Sequence, residues 1–483
     1  MADVVKFDET TADQPNSTSG DSSVNILDVN KYEFIEHAFY GTGGFQDGTY
    51  LNPHHREMFY DKRCRAAHYS NYVNPVITAM YKAVFAEPIT RDFENERYAQ
   101  FVDDSTGQGV NLNDFVKLVV KYTRMQGMVL IVVDNRKQNG VELRKDAIDL
   151  KLNPYCYIKK AHEINEDGTY FDDHGKLEAI MYFEYSEVEK SKTVNYYRQW
   201  TAAESILYKE KENSDDNAEF KDKYEVYDSQ INELGEIPCY LMYEEPLNNP
   251  KKLFAETLRY QLAKINATIF NQDSEGREVE RNQGFGILTI PEDGNESKDK
   301  TLGTGNYLGY PLDARHSPEM INVEPDLIRA LDEKRQKTME SLIAIAEQSG
   351  VQGINKSKDA KSGLAYAFEF FAYESTLKDS SVLATKAEIQ IRRLFNAWTK
   401  ENVEYEINYP TNFKPNQTEE RYEQLSETME QQGITQYFFD KCEQEKYKLM
   451  FPDDKDGLDI VINQQKTRKP ELDNDLTNDK SES

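Results

Sequence analysis

Three stretches of this chain hold residues that could do chemistry by proximity. His54, His55 and His68 fall within one or two expected helices, and His54 and His68 can share a face. A metal site needs ligands at fixed spacing. No HExxH motif or carboxylate partner accompanies these residues, so they read as helix-surface histidines. GTGGF (Gly41 to Phe45) is rich in glycine, but no apolar strand precedes it and no GKS or GKT follows. A surface turn explains it better than a phosphate cradle does. Glu275, Glu278 and Glu280 alternate with Arg277 and Arg281, the pattern of a salt-bridged face rather than of a two-metal site. With no GxSxG motif and no Cys/His arrangement, the chain presents no catalytic residue and implies no metal and no cofactor.

A fourth stretch is of another kind. GVQGINKSKDAKSG (Gly350 to Gly363) sets Lys356, Lys358 and Lys361 beside Asn355, Ser357 and Ser362, all donors that seek phosphate oxygens. Taken alone it reads as a surface loop. Its setting shifts the reading, because a proline-free helical run (Asp326 to Ser349) precedes it and a much longer one follows. A polar loop between two long helices makes a poor catalytic site. It makes a good hinged finger that touches something sliding past.

The elements that must position this finger follow from periodicity. Residues 1–31 are polar and Ser/Thr/Asp-rich, and are expected to form a flexible arm, as is the acidic tail from 466 to 483. A helix is expected from His54 to Tyr69. Asn74-Pro75 should open another that runs through Val84, and a third should span Leu112 to Met125 before the strand MVLIVVD (Met128 to Asp134). In KLEAIMYFEYSE, Leu177, Ala179, Met181, Phe183 and Tyr185 recur every second residue, so they share one strand face. TVNYYRQWT, ILYKE and KYEVYD continue an antiparallel meander that LGEIPCYLMY (Leu234 to Tyr243) should close. The stretch 32–250 therefore reads as one α+β domain.

From Lys251 the pattern turns helical. Leu258, Leu262, Ile265 and Ile269 form one stripe, and Ile328, Leu331, Met339, Leu342 and Ala346 form another after a strand-like interlude. Past the loop, Leu364, Phe368 and Phe371 share one face, whereas Leu383, Ala387, Ile391, Leu394 and Trp398 share another. The slip in phase predicts a bend or unwinding at Lys378-Asp379-Ser380-Ser381. VEYEINYP should be a strand, followed by two short helices, one ending at Gly433 and one starting near Thr435.

Composition bounds the possibilities. The 483 residues suffice for about three domains. The 31 Tyr and 23 Phe argue against wholesale disorder. No apolar run reaches the roughly 18 residues of a membrane span, and the N-terminus carries no secretory pattern. Cys64, Cys156, Cys239 and Cys442 are scattered, as reduced core thiols of a cytosolic protein would be. Against 58 Lys+Arg stand 86 Asp+Glu, a formal net charge of −28. A protein that grips nucleic acid carries a basic face. This one either has no such partner or handles nucleic acid without holding it, as a conduit with a repelling wall would.

The order of elements from Lys251 onward resembles the portal (head–tail connector) proteins of tailed double-stranded DNA bacteriophages. SGLAYAFEF (Ser362 to Phe370) is similar to the SG-x-A opening of that family's kinked helix. YLNPHHREMFYDKRCRAAHYSNYVNPVITAMYKAVFAEP resembles the opening helices of one portal subgroup, MQGMVLIVVD its G-to-VD strand, and LGEIP the turn before its stem. The resemblance covers about residues 32–415. It implies a flexible arm (1–31), an α+β wing (32–250), a stem helix (251–282), a small α/β clip (283–325) and a second stem helix (326–349). After these come a tunnel loop (350–362), a kinked helix with a wing return strand (363–414), a helical crown (415–465) and the tail (466–483).

For function, the resemblance implies a homo-oligomeric ring, usually twelvefold, at one capsid vertex. The ring would be assembled with capsid and scaffold proteins in the bacterial host cytoplasm. The terminase large subunit would drive double-stranded DNA through it, and head–tail adaptor proteins would dock later. Asn355, Lys356, Lys358, Lys361, Ser362 and Gly363 would touch the passing DNA, while Leu258, Leu262, Ile265, Ile269, Leu331 and Leu342 would pack the stem, the first stem helix burying its stripe against neighbouring subunits. Such a protein hydrolyses nothing and needs no membrane. Two rivals remain: a metal-dependent phage enzyme acting on nucleic acid through the acidic segments, and another ring component of the virion.

Overall fold

The structure, a computed structural model, describes residues 29–135 apart from 55, 56, 58 and 88, and 153–283 apart from 190, 191, 212–218 and 250. It also describes 287–292, 307–313, 317–321, 325–348, 351 and 363–413, then 422, 425–429, 435–451 and 455–468. The protein is α+β and divides into two compact units, Met1–Thr411 and Asn412–Ser483.

In the first unit, α1 (Lys31–Tyr40) starts where the Asn30 side chain accepts from the Tyr32 N–H, and ends at Gly41 in the left-handed region. The short α2 (Gly44–Asp47) follows. The helix expected over 54–69 is only α3 (Tyr60–Ala66). Its first turn is displaced because Glu57 accepts from the His54 N–H and, through both carboxylate oxygens, from Arg63. The helix α4 (Val73–Ala79) has Pro75 inside its first turn and gives way to a 3₁₀ turn at Lys82–Phe85, so the expected single helix through Val84 is two pieces. The helix α5 (Glu96–Asp103), not expected from the sequence, and α6 (Leu112–Gln126) lead into β1 (Met128–Asp134), the last two within one residue of the expected boundaries.

Strand β1 is central to an antiparallel sheet of order β2-β1-β8, with β2 at Tyr155–Lys160 and β8 at Cys239–Tyr243. LGEIPCYLMY therefore completes the β1 sheet rather than closing the meander. A second antiparallel sheet is the meander itself: β3 (Ile164–Phe171), β4 (Leu177–Glu189), β5 (Lys192–Thr201), β6 (Glu204–Glu210) and, after the short α7 (Phe220–Lys223), β7 (Tyr224–Ile231). One core cluster takes Ile180 and Tyr182 of β4, on the face opposite the stripe picked out by alternation, together with Trp200 of β5. Ala179 and Met181 of that stripe are buried as well, and Gly168 of β3 lies so close to Met181 that a Cβ there would collide with it. A bulge between Phe183 and Tyr185 breaks the alternation, and Tyr185 is exposed.

The long helix α8 spans Arg259–Gln283 and does not begin at Lys251. Two carbonyls just upstream are captured by hydroxyls, Leu253 by Tyr243 and Ala255 by Tyr32, and both side chains fill the core, so 251–258 stays irregular. The strands β9 (Ile287–Glu292), β10 (Tyr307–Pro311) and β11 (Met320–Ile321) form a mixed sheet of order β10-β9-β11. Next come α9 (Pro325–Gln348) and α10 (Gly363–Thr399).

Helix α10 is unbroken, and the unwinding expected at 378–381 is absent. Ser380 and Ser381 are buried. Their hydroxyls donate back to the Thr376 and Leu377 carbonyls and out to those of Met80 and Pro410. Two buried serines thus carry the helix without unwinding through the point where the apolar stripes slip in phase. VEYEINYP joins no ladder and forms no strand. Side chains of α10 replace the missing strand: Asn396 brackets the Val403 N–H and C=O, and Arg392 donates to the Tyr405 carbonyl.

In the second unit, α11 (Gln436–Met450) and α12 (Lys455–Arg468) pack together, with the buried Gln465 amide donating to the Asp440 carbonyl. Residues 425–429 are helical, whereas the expected helix end at Gly433 lies outside the described residues. The tail expected from 466 begins no earlier than 469, since α12 runs to Arg468.

Candidate functional site

The surfaces with possible function are those of the long helices. The polar half of α8 and the first half of α9 run antiparallel. Gln272 donates to the Thr338 hydroxyl at 3.1 Å, and Asp273 accepts from Arg335. That hydrogen bond, with burial opposing it, holds the Arg335 pKa above its ordinary value. Between the helices opens a cleft of about 310 Å³ lined by Glu275, Arg277, Glu280, Leu331, Asp332 and Lys334, among others. The cleft mixes both signs of charge and brings no acid–base pair together. Among the described residues no group of three His, Cys, Asp or Glu is placed to hold a metal ion. No described helix is long and apolar enough to cross a membrane.

The stem-packing residues divide. Leu262 and Ile269 are fully buried, but inside this chain: they belong to the half of α8 that packs on α1 and α4. Phe270 joins Phe45 and Tyr69 in an aromatic cluster there. The expectation that this stripe waits for neighbouring subunits is corrected. Leu258 precedes the helix and is 46% exposed in the single chain. Ile265 and Leu331 are half-buried, and Leu342 is buried. Of the tunnel-loop residues, Asn355, Lys356, Lys358, Lys361 and Ser362 lie outside the described residues, and Gly363 is the first residue of α10.

The other sequence candidates are structural. His54 is exposed and outside any helix, His68 is exposed, and His55 lies outside the described residues. GTGGF is packed shut: a Cβ at Gly43 would strike the His37 ring and one at Gly44 the Tyr50 ring, leaving no room for a phosphate. Glu275, Glu278 and Glu280 lie on the polar half of α8.

Periodicity missed the buried polar residues that fix the helices in place. Asn266, wholly buried on α8, accepts from the Tyr72 N–H and Tyr69 hydroxyl and donates to the Ser70 carbonyl. Glu244 accepts from both Arg124 (2.7 Å) and Arg259 (2.5 Å), while Arg124 also donates to Ser380 and the Thr376 carbonyl on α10. Glu388, completely buried, accepts from Nε and Nη2 of Arg91 and from the hydroxyls of Tyr405 and Tyr409. Burial would raise its pKa, but these donors outweigh burial and hold it below the usual carboxylate range. The available signal was a Glu adjoining the apolar stripe Ala387, Ile391, Leu394, a position costly for an unpaired charge.

No family profile matches the chain, and neither does any curated protein. Among solved structures it is similar to a chain of the virion of a native gene transfer agent particle, at 10% identity and a TM-score of 0.41, covering 84% of this chain and 96% of that one. A likeness so distant carries no functional weight.

Proposed function

We propose that this chain is the portal subunit of a tailed phage or phage-like particle, and that it forms a ring at one capsid vertex through which double-stranded DNA is packaged and ejected. One observation carries the reading. Of the described side chains of α9, only Leu342 and Ala346 are fully buried. A helix of 24 residues with so little core of its own owes its stability to something packed beside it. Antiparallel α8 and α9, joined by a small sheet and followed by a polar loop and the 37-residue α10, match the portal order of stem, clip, stem, tunnel loop and long helix. Copies in a ring supply the missing neighbours. The net charge of −28 per chain, repeated around the ring, keeps DNA from adhering to the wall. Lys356, Lys358 and Lys361 then make brief, salt-sensitive phosphate contacts without reading bases.

The subunit hydrolyses nothing in this reading. Its partners are further copies of itself in a twelvefold ring, together with the terminase large subunit, the major capsid and scaffold proteins, and the head–tail adaptors. Electron microscopy of the purified protein tests it: rings with an axial hole are expected, and a lone compact subunit at high concentration would end the proposal. In particles, the triple change of those lysines to alanine should spare the rings and reduce DNA packaging or retention. Unchanged packaging and retention would remove the loop from the mechanism.

A further inference from the structure

Two surfaces of the first unit are exposed, partly apolar and unlike in charge. One is the outer edge of the meander. Both edges of the sheet carry register shifts, β3 between Asn165 and Phe171 and β7 at Tyr227 between Val226 and Asp228, and β7 has seven of its eight residues exposed. Strand β7 (YEVYDSQI) contributes Glu225 and Asp228 and no base. Tyr227 of this edge, 59% exposed, meets the buried Tyr196 of β5 edge-on at 5.1 Å, and Tyr185 of β4, also exposed, stacks on the same Tyr196 ring at 4.7 Å. Tyrosines so placed provide rigid contact area at an interface.

The second surface is the outer stripe of α10: Phe371, Ser375, Lys378, Val382, Lys386, Ile389 and Arg393 recur at helical spacing and are all exposed, Phe371 at 69% and Val382 at 50%. Lys378 pairs with Glu374 and Arg393 with Glu236, while Lys386 has no ion pair among the described residues. In a chain of net charge −28 this stripe carries three bases and no acid, with Asp379 the exposed acid at its flank.

Resting on the ring reading for its closure, we infer that the occupant of each surface is a second copy of this chain, the tyrosine-bearing β7 edge of one copy seating on the α10 stripe of the next. Like-with-like pairing is disfavoured on both sides. Two β7 edges would bring Glu225 and Asp228 of each copy into one ladder, and two α10 stripes would oppose Lys386 and Arg393 with their own kind. Unlike pairing relieves both, and an interface between two different patches of the same chain is head-to-tail, the type that closes into rings.

The test uses full-length chains in a Cys64→Ser background, Cys64 being the one thiol among the four that is not buried. Tyr227→Cys chains and Ile389→Cys chains are purified separately, treated with a short bismaleimide alone and after mixing, and imaged in parallel. The expected result is a covalent heterodimer in the mixture and in neither variant alone. Rings without that heterodimer, or homodimers from Tyr227→Cys alone, would overturn this interface and leave the ring standing. No rings and no cross-link would remove both.

Discussion

The second half of α10 and the whole of α9 are both long helices of the same chain, yet they relate to it in opposite ways. From Glu374 to Phe395 the inner face of α10 is continuous and buried, and even its charges are satisfied internally, Glu388 by one arginine and two tyrosines. Helix α9 fully buries two of its described side chains, and its ion pair to α8, Asp273–Arg335, sits at a partly open position. The contrast separates the part of the fold whose long helix is buried within the single chain from the part whose long helix stays largely open.

The largest effect should come from the buried side. Glu388→Ala strands Arg91 in the core, and a loss of about 3–5 kcal/mol is expected, read as a large fall in thermal midpoint. A variant as stable as the parent would mean the network is not a keystone. The sign with pH follows from the depressed pKa of Glu388. Its stabilisation is present above the unfolded carboxylate pKa and fades as pH falls through the lower folded value. The parent should thus lose more stability on acidification than Glu388→Gln does, and parallel pH profiles would refute this.

An intermediate effect sharpens the comparison along α8. Leu262→Ala, at 1% exposure, should cost about 2–5 kcal/mol in the isolated subunit. Leu258→Ala, at 46% exposure, should stay within about 0.5 kcal/mol. Denaturant midpoints for the pair decide whether the α8 stripe belongs to the chain's own core. The smallest effect belongs to the open side: Arg335→Ala should cost the isolated subunit no more than about 1 kcal/mol. If chemical denaturation of the monomer showed a loss as large as that of Leu262→Ala, α9 would be part of the self-sufficient core after all.

Much of the element order was legible because long periodic runs are strong signals. The α6–β1 boundary at Gly127 and the span of α9 were read within one residue. The misreadings share a cause. The early start given to α8, the strand given to 403–410 and the unwinding given to 378–381 each followed from local residue patterns, whereas groups elsewhere in the fold settle those backbones: the Tyr32 and Tyr243 hydroxyls for the first, the Asn396 and Arg392 side chains for the second, the Met80 and Pro410 carbonyls for the third. Of the candidate site, the acidic balance, the lysine loop and the helices around it were visible from residue types alone. The meaning of the stripes was not, because periodicity marks an apolar face without saying what will cover it.

What the sequence alone determined is therefore the α+β class, the long helices and their polarity, since these depend on residue type and spacing within one stretch of chain. Only the tertiary structure decided that Leu262 and Ile269 are already buried at home, that Glu388 and Glu244 are satisfied core charges, and that α9 and the outer stripe of α10 remain open. Burial is a property of pairs of segments far apart in the chain, and no single segment encodes its partner.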